Sequence, residues 1–291
     1  MKLNKNYGGL LKKIYGGITV FLRENPLIES FIIGVSGGID SALVSAIVYS
    51  YNRRHTKGIK LIGISMPSTT NMATEISRAA EVKERFCENG GTYYIDPLVE
   101  EIQKSLLHSH IDNGIIDAAR VGNLKARLRM IKLYDEARKR KGVVLSTDNY
   151  TEYLLGFWTL HGDVGDFGII QELFKTEVYG LSQYIVDNKL LSTPLQEEIL
   201  QKCIDAKPTD GLGITDNDIV QLNPNVIVTD STSWRKEYEK IDEVLIEYQN
   251  KSVWALPNKS KDALIKLEKT AIIKKHLATK FKRSTNNIKL R

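Results

Sequence analysis

Residues 31–48, FIIGVSGGIDSALVSAIV, set an apolar run, a Ser-Gly-Gly break and a second apolar run at helical spacing in immediate succession. A strand without polar alternation has to be covered on both faces, and a helix that follows it without a gap is one of the covers. The pattern recurs. KLIGISM (60–66), TYYID (92–96) and GVVLST (142–147) read as further strands, with helical stretches at 41–51, 74–88, 97–108, 120–141 and from Asn149 onward. Strands separated by helices pair in parallel through right-handed crossovers. The predicted fold class is therefore α/β, a doubly wound parallel sheet flanked by helices. Ligands of such sheets lie beyond the carboxyl ends of the strands.

Residues 1–30 read as an amphipathic helix, with Leu10, Leu11, Ile14, Ile18, Phe21 and Leu22 apolar and an end before Pro26. After Gly162 the alternation stops. Residues 162–168 are rich in glycine and aspartate and read as a mobile loop; 174–186 and 194–203 are helical. Residues 205–235 are turn-rich, a lid or an insert, and 242–248 and 261–279 are helical again. With 291 residues, 42% of them hydrophobic, one domain is expected, made of an N-terminal helix (1–30), an α/β core (31–220) and an insert with a basic helical tail (221–291).

No apolar run approaches the roughly 18 residues of a membrane span and no signal-peptide pattern is present, so a cytoplasmic protein without a membrane partner is expected. Cys87 and Cys203 lie far apart, match no metal-ligand spacing and read as free thiols. The net charge of +6 is concentrated at one end. Residues 259–291 hold eleven Lys and Arg against Asp262 and Glu268, leaving 30 basic and 33 acidic groups before them. Such a tail either meets phosphate or is simply solvated.

Gly37 and Gly38 let the backbone turn where the first strand ends, with N–H groups outward at the positive end of the next helix. Those are the mechanics of anion binding, although the segment is not a Walker loop. Asp40 then has two readings. Asp40 or Ser41 caps the helix, which is worth about 1 kcal/mol. Alternatively Asp40 faces phosphate across a cation, and magnesium is the ion that takes one or two carboxylates together with phosphate oxygens. Further on, Arg127 and Arg129 in GNLKARLRM stand about 200° apart on one helix and serve different faces. Thr147 ends a strand and Glu152 lies on the following helix at the same edge; taken singly they are an ordinary cap candidate and a surface acid.

GVSGGIDS resembles the pyrophosphate-binding loop of the ATP pyrophosphatases, whose members cleave ATP between the α and β phosphates and adenylate an acceptor oxygen. GNLKARLRM followed by LSTDNYTEYLLGFWTLHGD resembles one family within that group, the ammonia-dependent NAD synthetases, with Arg127 twenty positions before Thr147 as in that family. The resemblance covers about residues 30–220 and, loosely, the tail. It implies an adenine-nucleotide alpha-hydrolase-like fold and a homodimeric ligase with its dinucleotide site at the interface. The implied ATP contacts are Gly34, Val35, Ser36, Gly37, Gly38, Ile39, Asp40, Ser41, Thr147, Lys175 in ELFKTEVYGL and Thr209 in KPTDGLGITDND. Asp40 and Glu152 are implied magnesium ligands; Arg127, Asp166 and Lys282 are implied at deamido-NAD. Lys175 and Asp163 are the implied catalytic groups, Asp163 taking a proton from ammonia.

The chain also departs from the family pattern. Leu160 stands where the family has lysine, Phe281-Lys282-Arg283 where it has H-K-R, and Met66-Pro67 where an arginine-bearing loop is expected. Ser146 replaces a glycine, the loop 162–166 is one residue short, and 221–239 reads as an insertion. The implied reaction is ATP-dependent amidation of deamido-NAD through an acyl-adenylate, giving NAD, AMP and pyrophosphate. A glutaminase segment does not fit beside the core in 291 residues, so free ammonia is the expected donor. Two rivals use the same loop: a tRNA-modifying adenylating enzyme gripping RNA with the basic tail, and a non-catalytic nucleotide-binding protein. The first should carry a catalytic cysteine or an RNA-binding module, and neither is evident; nucleic acid is not the expected partner.

Overall fold

The computed structural model describes residues 2–56, 58–106, 118–159, 161–163, 165–209, 211, 219, 230–250 and 286–290. Among these, one parallel sheet runs in the order β3-β2-β1-β4-β5-β6. Its strands are β1 (Ser30–Gly34), β2 (Lys60–Ser65), β3 (Glu88–Thr92), β4 (Gly142–Ser146), β5 (Phe167–Gly168) and β6 (Asn286–Asn287). The helices are α1 (Tyr7–Glu24), α2 (Ile39–Arg54), α3 (Ala73–Phe86), α4 (Asp96–Leu106), α5 (Ala118–Lys139), α6 (Tyr150–Leu155), α7 (Lys175–Asp187), α8 (Pro194–Asp205) and α9 (Ser231–Asn250).

Alternate residues of the central strands feed two cores, which makes three layers. Phe31, Ile33, Leu61 and Leu145 join α1, α2, α3, α7 and α8 on one face. Ile32, Ile62, Ile64 and Val144 meet α4 and α5 on the other. Leu10, Leu11, Ile14, Ile18, Phe21 and Leu22 of α1 are all buried, and Phe21 stacks on Phe167 of β5 with ring centroids 4.0 Å apart. That apolar face is therefore used within the chain rather than offered to a partner. The chain lays down β1, β2 and β3 outward, then returns to place β4 on the other side of β1. The loops after β1 and β4 consequently open a crevice at the point where the winding reverses.

Three expectations need correcting. The third strand is Glu88–Thr92, not TYYID: Gly90 sits where a Cβ would strike Ile62 and Ile64, while Tyr93 and Tyr94 are exposed beyond the strand end. Aromatic residues suggested a strand, but close approach to β2 demanded glycine. The end of the segment 162–168 is not loop but strand: Phe167–Gly168 form β5, paired with Leu145 and Ser146. The helix expected at 242–248 begins at Ser231, so part of the turn-rich stretch is helical. The helix expected at 261–279 lies outside the described residues. Both cysteines are free.

Candidate active site

The turn after β1 braces itself. Gly37 has φ +82, a left-handed conformation that glycine adopts without cost, and a Cβ there would collide with the Glu75 carbonyl oxygen of α3. The Ser41 hydroxyl accepts the Ser36 N–H at 3.2 Å, and the Ser36 hydroxyl accepts the Gly38 N–H at 3.2 Å. Gly38 is the N-cap of α2 and has no side chain to bond the first turn, so neither Asp40 nor Ser41 supplies the cap. Gly37→Ala combines backbone strain of about 1–3 kcal/mol with a backbone clash. It should lower Tm and weaken ATP binding at least about tenfold by calorimetry; unchanged ATP affinity would separate the turn from nucleotide binding.

The Asp40 carboxylate, released from capping, reaches across the switch point. Its Oδ1 accepts the Asn149 Nδ2–H at 2.9 Å, and its Oδ2 lies 2.6 Å from Lys175 Nζ. Glu152 Oε1 lies 3.0 Å from the same nitrogen. Asn149 also caps α6: its Oδ1 accepts the Glu152 N–H at 3.0 Å while Glu152 Oε2 accepts its backbone N–H at 3.2 Å. One asparagine thus holds both acids in place. Burial pushes the Lys175 pKa down, but the nearby Asp40 and Glu152 carboxylates outweigh it and hold the ammonium well above its ordinary range. At an effective dielectric near 20, each contact of about 3 Å contributes roughly 5 kcal/mol of attraction, enough to offset desolvation.

A cavity of about 500 Å³ lies over this cluster, lined by Asp40, Thr147, Glu152, Asp163 and Thr209 among others. Gly34, Val35, Ser36 and Ser41 also line it. Gly37 packs on α3 and Ile39 enters the core. Asp163 accepts the Thr159 N–H, and the Thr209 hydroxyl donates to Glu75. The structure therefore brings together the loop, both acids, Lys175, Thr147, Thr209 and Asp163.

Two expected substrate residues lie elsewhere. Arg127 is exposed, whereas Arg129 lines the cavity, donating from Nε to the Met66 carbonyl at 3.0 Å and from Nη2 to Asn71 Oδ1 at 3.4 Å. Burial pulls the Arg129 pKa down, opposed by Asp163, Asp96 and Glu75. An arginine thus does reach the Met66-Pro67 loop, supplied by α5. Asp166 sits beside the sheet, Oδ2 accepting the Val144 N–H at 2.9 Å and Oδ1 the Tyr134 hydroxyl at 3.0 Å. Lys282, Leu160 and Phe281 lie outside the described residues. Asn149 was legible as half of an N-x-x-E capping pattern with Glu152; Arg129 carried no signal that set it above Arg127.

A doubly wound sheet with a glycine turn and convergent acids at its switch point defines an α/β protein that binds its ligand in that crevice. The chain belongs to the NAD synthase family, whose model matches residues 10–286. An NH(3)-dependent NAD(+) synthetase of Thermoplasma acidophilum is 31% identical over 240 residues, covering 81% of this chain and 84% of that protein. One from Methanocaldococcus jannaschii is 30% identical over 250 residues, 84% of this chain and 83% of the relative. Among solved structures, NMN synthetase from Francisella tularensis matches with a TM-score of 0.69 at 25% identity, covering 93% of this chain and 95% of its own. The NH3-dependent NAD synthetase from Campylobacter jejuni, at 21% identity and a TM-score of 0.63 over 92% and 94% of the two chains, shares the fold.

Proposed function

We propose that this chain is a ligase that amidates deamido-NAD with ammonia, driven by cleavage of ATP to AMP and pyrophosphate. The observation that carries the reading is the convergence of Asp40, from the loop after β1, and Glu152, from the helix after β4, on one positive charge in a chain of the NAD synthase family. The nicotinate carboxylate attacks the α-phosphorus of ATP, and the bond to the pyrophosphate oxygen breaks. Ammonia then adds to the carbonyl of the resulting acyl-adenylate, loses a proton to Asp163, and AMP leaves. A free carboxylate would have to expel oxide; the adenylate supplies a leaving group instead. The loop 36–41 holds the departing pyrophosphate, Lys175 offsets its growing charge, and Thr147 and Thr209 orient the nucleotide.

The donor set fits magnesium: two hard carboxylates already arranged around one cationic position, at a cavity wide enough for phosphate oxygens. Asp40 and Glu152 would hold it, and when bound it neutralises phosphate charge.

The exposed face of α5 supports a homodimer with the dinucleotide site at the interface. Arg127, Ile131 and Tyr134 recur at i, i+4 and i+7, with Ile131 64% and Tyr134 42% exposed, and Tyr134 holds Asp166. Leu98 of α4 is exposed as well. In this reading a second copy completes the substrate site at Arg127 and Asp166, with Lys282 contributing from the tail. The chain works as a single domain, and a cytoplasmic location fits the two free thiols; among the described residues no helix is long and apolar enough to cross a membrane.

The purified chain with ATP, magnesium, ammonium and deamido-NAD should form NAD and AMP in equal amounts without RNA. ATP left uncleaved in that mixture would sink the reading. A second reading is favoured by the likeness to NMN synthetase, namely amidation of the mononucleotide. Offering both acceptors in competition separates the two, since the preferred one gives the larger kcat/KM. Family membership does not favour the tRNA-modifying or non-catalytic alternatives.

A further inference from the structure

Four described side chains of α9 are buried: Trp234, Tyr238, Asp242 and Leu245. They form one helical face, and a single member carries a carboxylate; Asp242 is 0% exposed. A leucine would fill that space without the cost of desolvating a carboxylate, so the acid must be satisfying something specific. Its Oδ1 accepts the Thr151 hydroxyl at 2.5 Å and its Oδ2 the Thr176 backbone N–H at 2.8 Å. The Thr151 hydroxyl oxygen in turn accepts the Lys175 backbone N–H at 2.8 Å.

Helix α7 begins at Lys175 with Phe174 as its N-cap, a residue with no polar side chain to bond the first turn. Thr151 and Asp242 take over that task from outside the helix, and the α7 dipole favours a carboxylate there. Burial pushes the Asp242 carboxyl up to about 6, with the Thr151 and Thr176 hydrogen bonds acting against that rise. The two residues it secures are neighbours of the chemistry. Thr151 adjoins Glu152, and Thr176 adjoins Lys175. The same face of α9 also sets the Tyr238 ring 5.7 Å from Lys175 Nζ.

We propose that Asp242 is a positioning residue for the reaction proposed above: through Thr151 and the first turn of α7 it fixes where Lys175 and Glu152 stand relative to Asp40. The inference rests on that reaction for its kinetic readout but not for its structural one. Helix α9 then supports the phosphate site without touching substrate.

Two nearly isosteric variants of the full chain test this, Asp242→Asn and Thr151→Val. Each should lower kcat at least about tenfold while KM for ATP moves less than about threefold, the signature of losing an interaction that is made in the transition state. The double variant should be little worse than the poorer single one, because both cut one network. In a crystal structure of either variant, Lys175 Nζ should lie beyond about 4 Å, the limit of an ion pair, from Asp40 or Glu152. A kcat within about twofold of wild type in both variants, with only Tm lowered, overturns the proposal. So does a variant structure that keeps both ion pairs. Wild-type protein that makes no amide product would count against the proposed reaction instead, and the variant structures then decide the role of Asp242 alone.

Discussion

Asp40→Ala should lower AMP formation by about a thousandfold or more while the protein remains folded. The side chain contributes little that the fold needs. It caps nothing, since Gly38 begins α2 without a side-chain bond, and its two oxygens serve Asn149 and Lys175 instead. Stranding a buried charge altogether costs about 3–5 kcal/mol, but here Lys175 keeps Glu152 at 3.0 Å, so the penalty should be lower, about 1–3 kcal/mol. What alanine removes is one of two negative groups at the place where polyphosphate is expected. Asp40→Asn sharpens the point, because its oxygen can still accept from Asn149 while the charge is gone. An equal loss in both variants assigns the effect to charge; near-normal AMP release from either, followed by chromatography beside a thermal melt, would remove this cluster from the reaction.

The layered fold was legible because hydrophobic periodicity reports burial directly. β1, β2, β4 and the helices around them fall within a few residues of their predicted limits, since each must cover or be covered. The same reasoning misplaced β3. There the deciding quantity was the space left beside Ile62, which only the assembled sheet defines, and glycine rather than tyrosine meets it. The site divides along similar lines. The Gly37–Gly38 turn and Asp40 are local, and a local pattern exposes them. Lys175 and Glu152 were recognisable by resemblance, but their meeting with Asp40 is a consequence of strand order, which puts the ends of β1, β4 and β5 side by side. Arg127 and Arg129 look alike in the chain; only the packing of α5 on the sheet sends Arg129 into the cavity and leaves Arg127 outside. Asp242 lies 91 residues from Thr151 and nothing local announces it.

Lys175→Met should separate two properties that a simple loss of activity would confound. Asp40 Oδ2 and Glu152 Oε1 both lie within 3.0 Å of one nitrogen, so they are less than about 6 Å apart. With the ammonium in place the pair is balanced. Without it, two carboxylates at an effective dielectric near 20 repel by roughly 3 kcal/mol. Methionine keeps an unbranched apolar stem and removes the ammonium, together with its approach to the Tyr238 ring. Metal-free variant protein should therefore melt below wild type, and millimolar magnesium should restore much of the difference. By calorimetry, magnesium should bind the variant without nucleotide at least about tenfold more tightly than it binds wild type, where it competes with a buried ammonium. Turnover should nevertheless fall about a thousandfold, because the group proposed to offset charge on the leaving pyrophosphate is missing. Tighter metal binding with lost turnover is the combination that a damaged fold cannot produce, since unfolding would weaken both. Equal magnesium affinity in the two proteins would mean that Lys175 and the ion do not share a place, and the paired acids would then need another explanation.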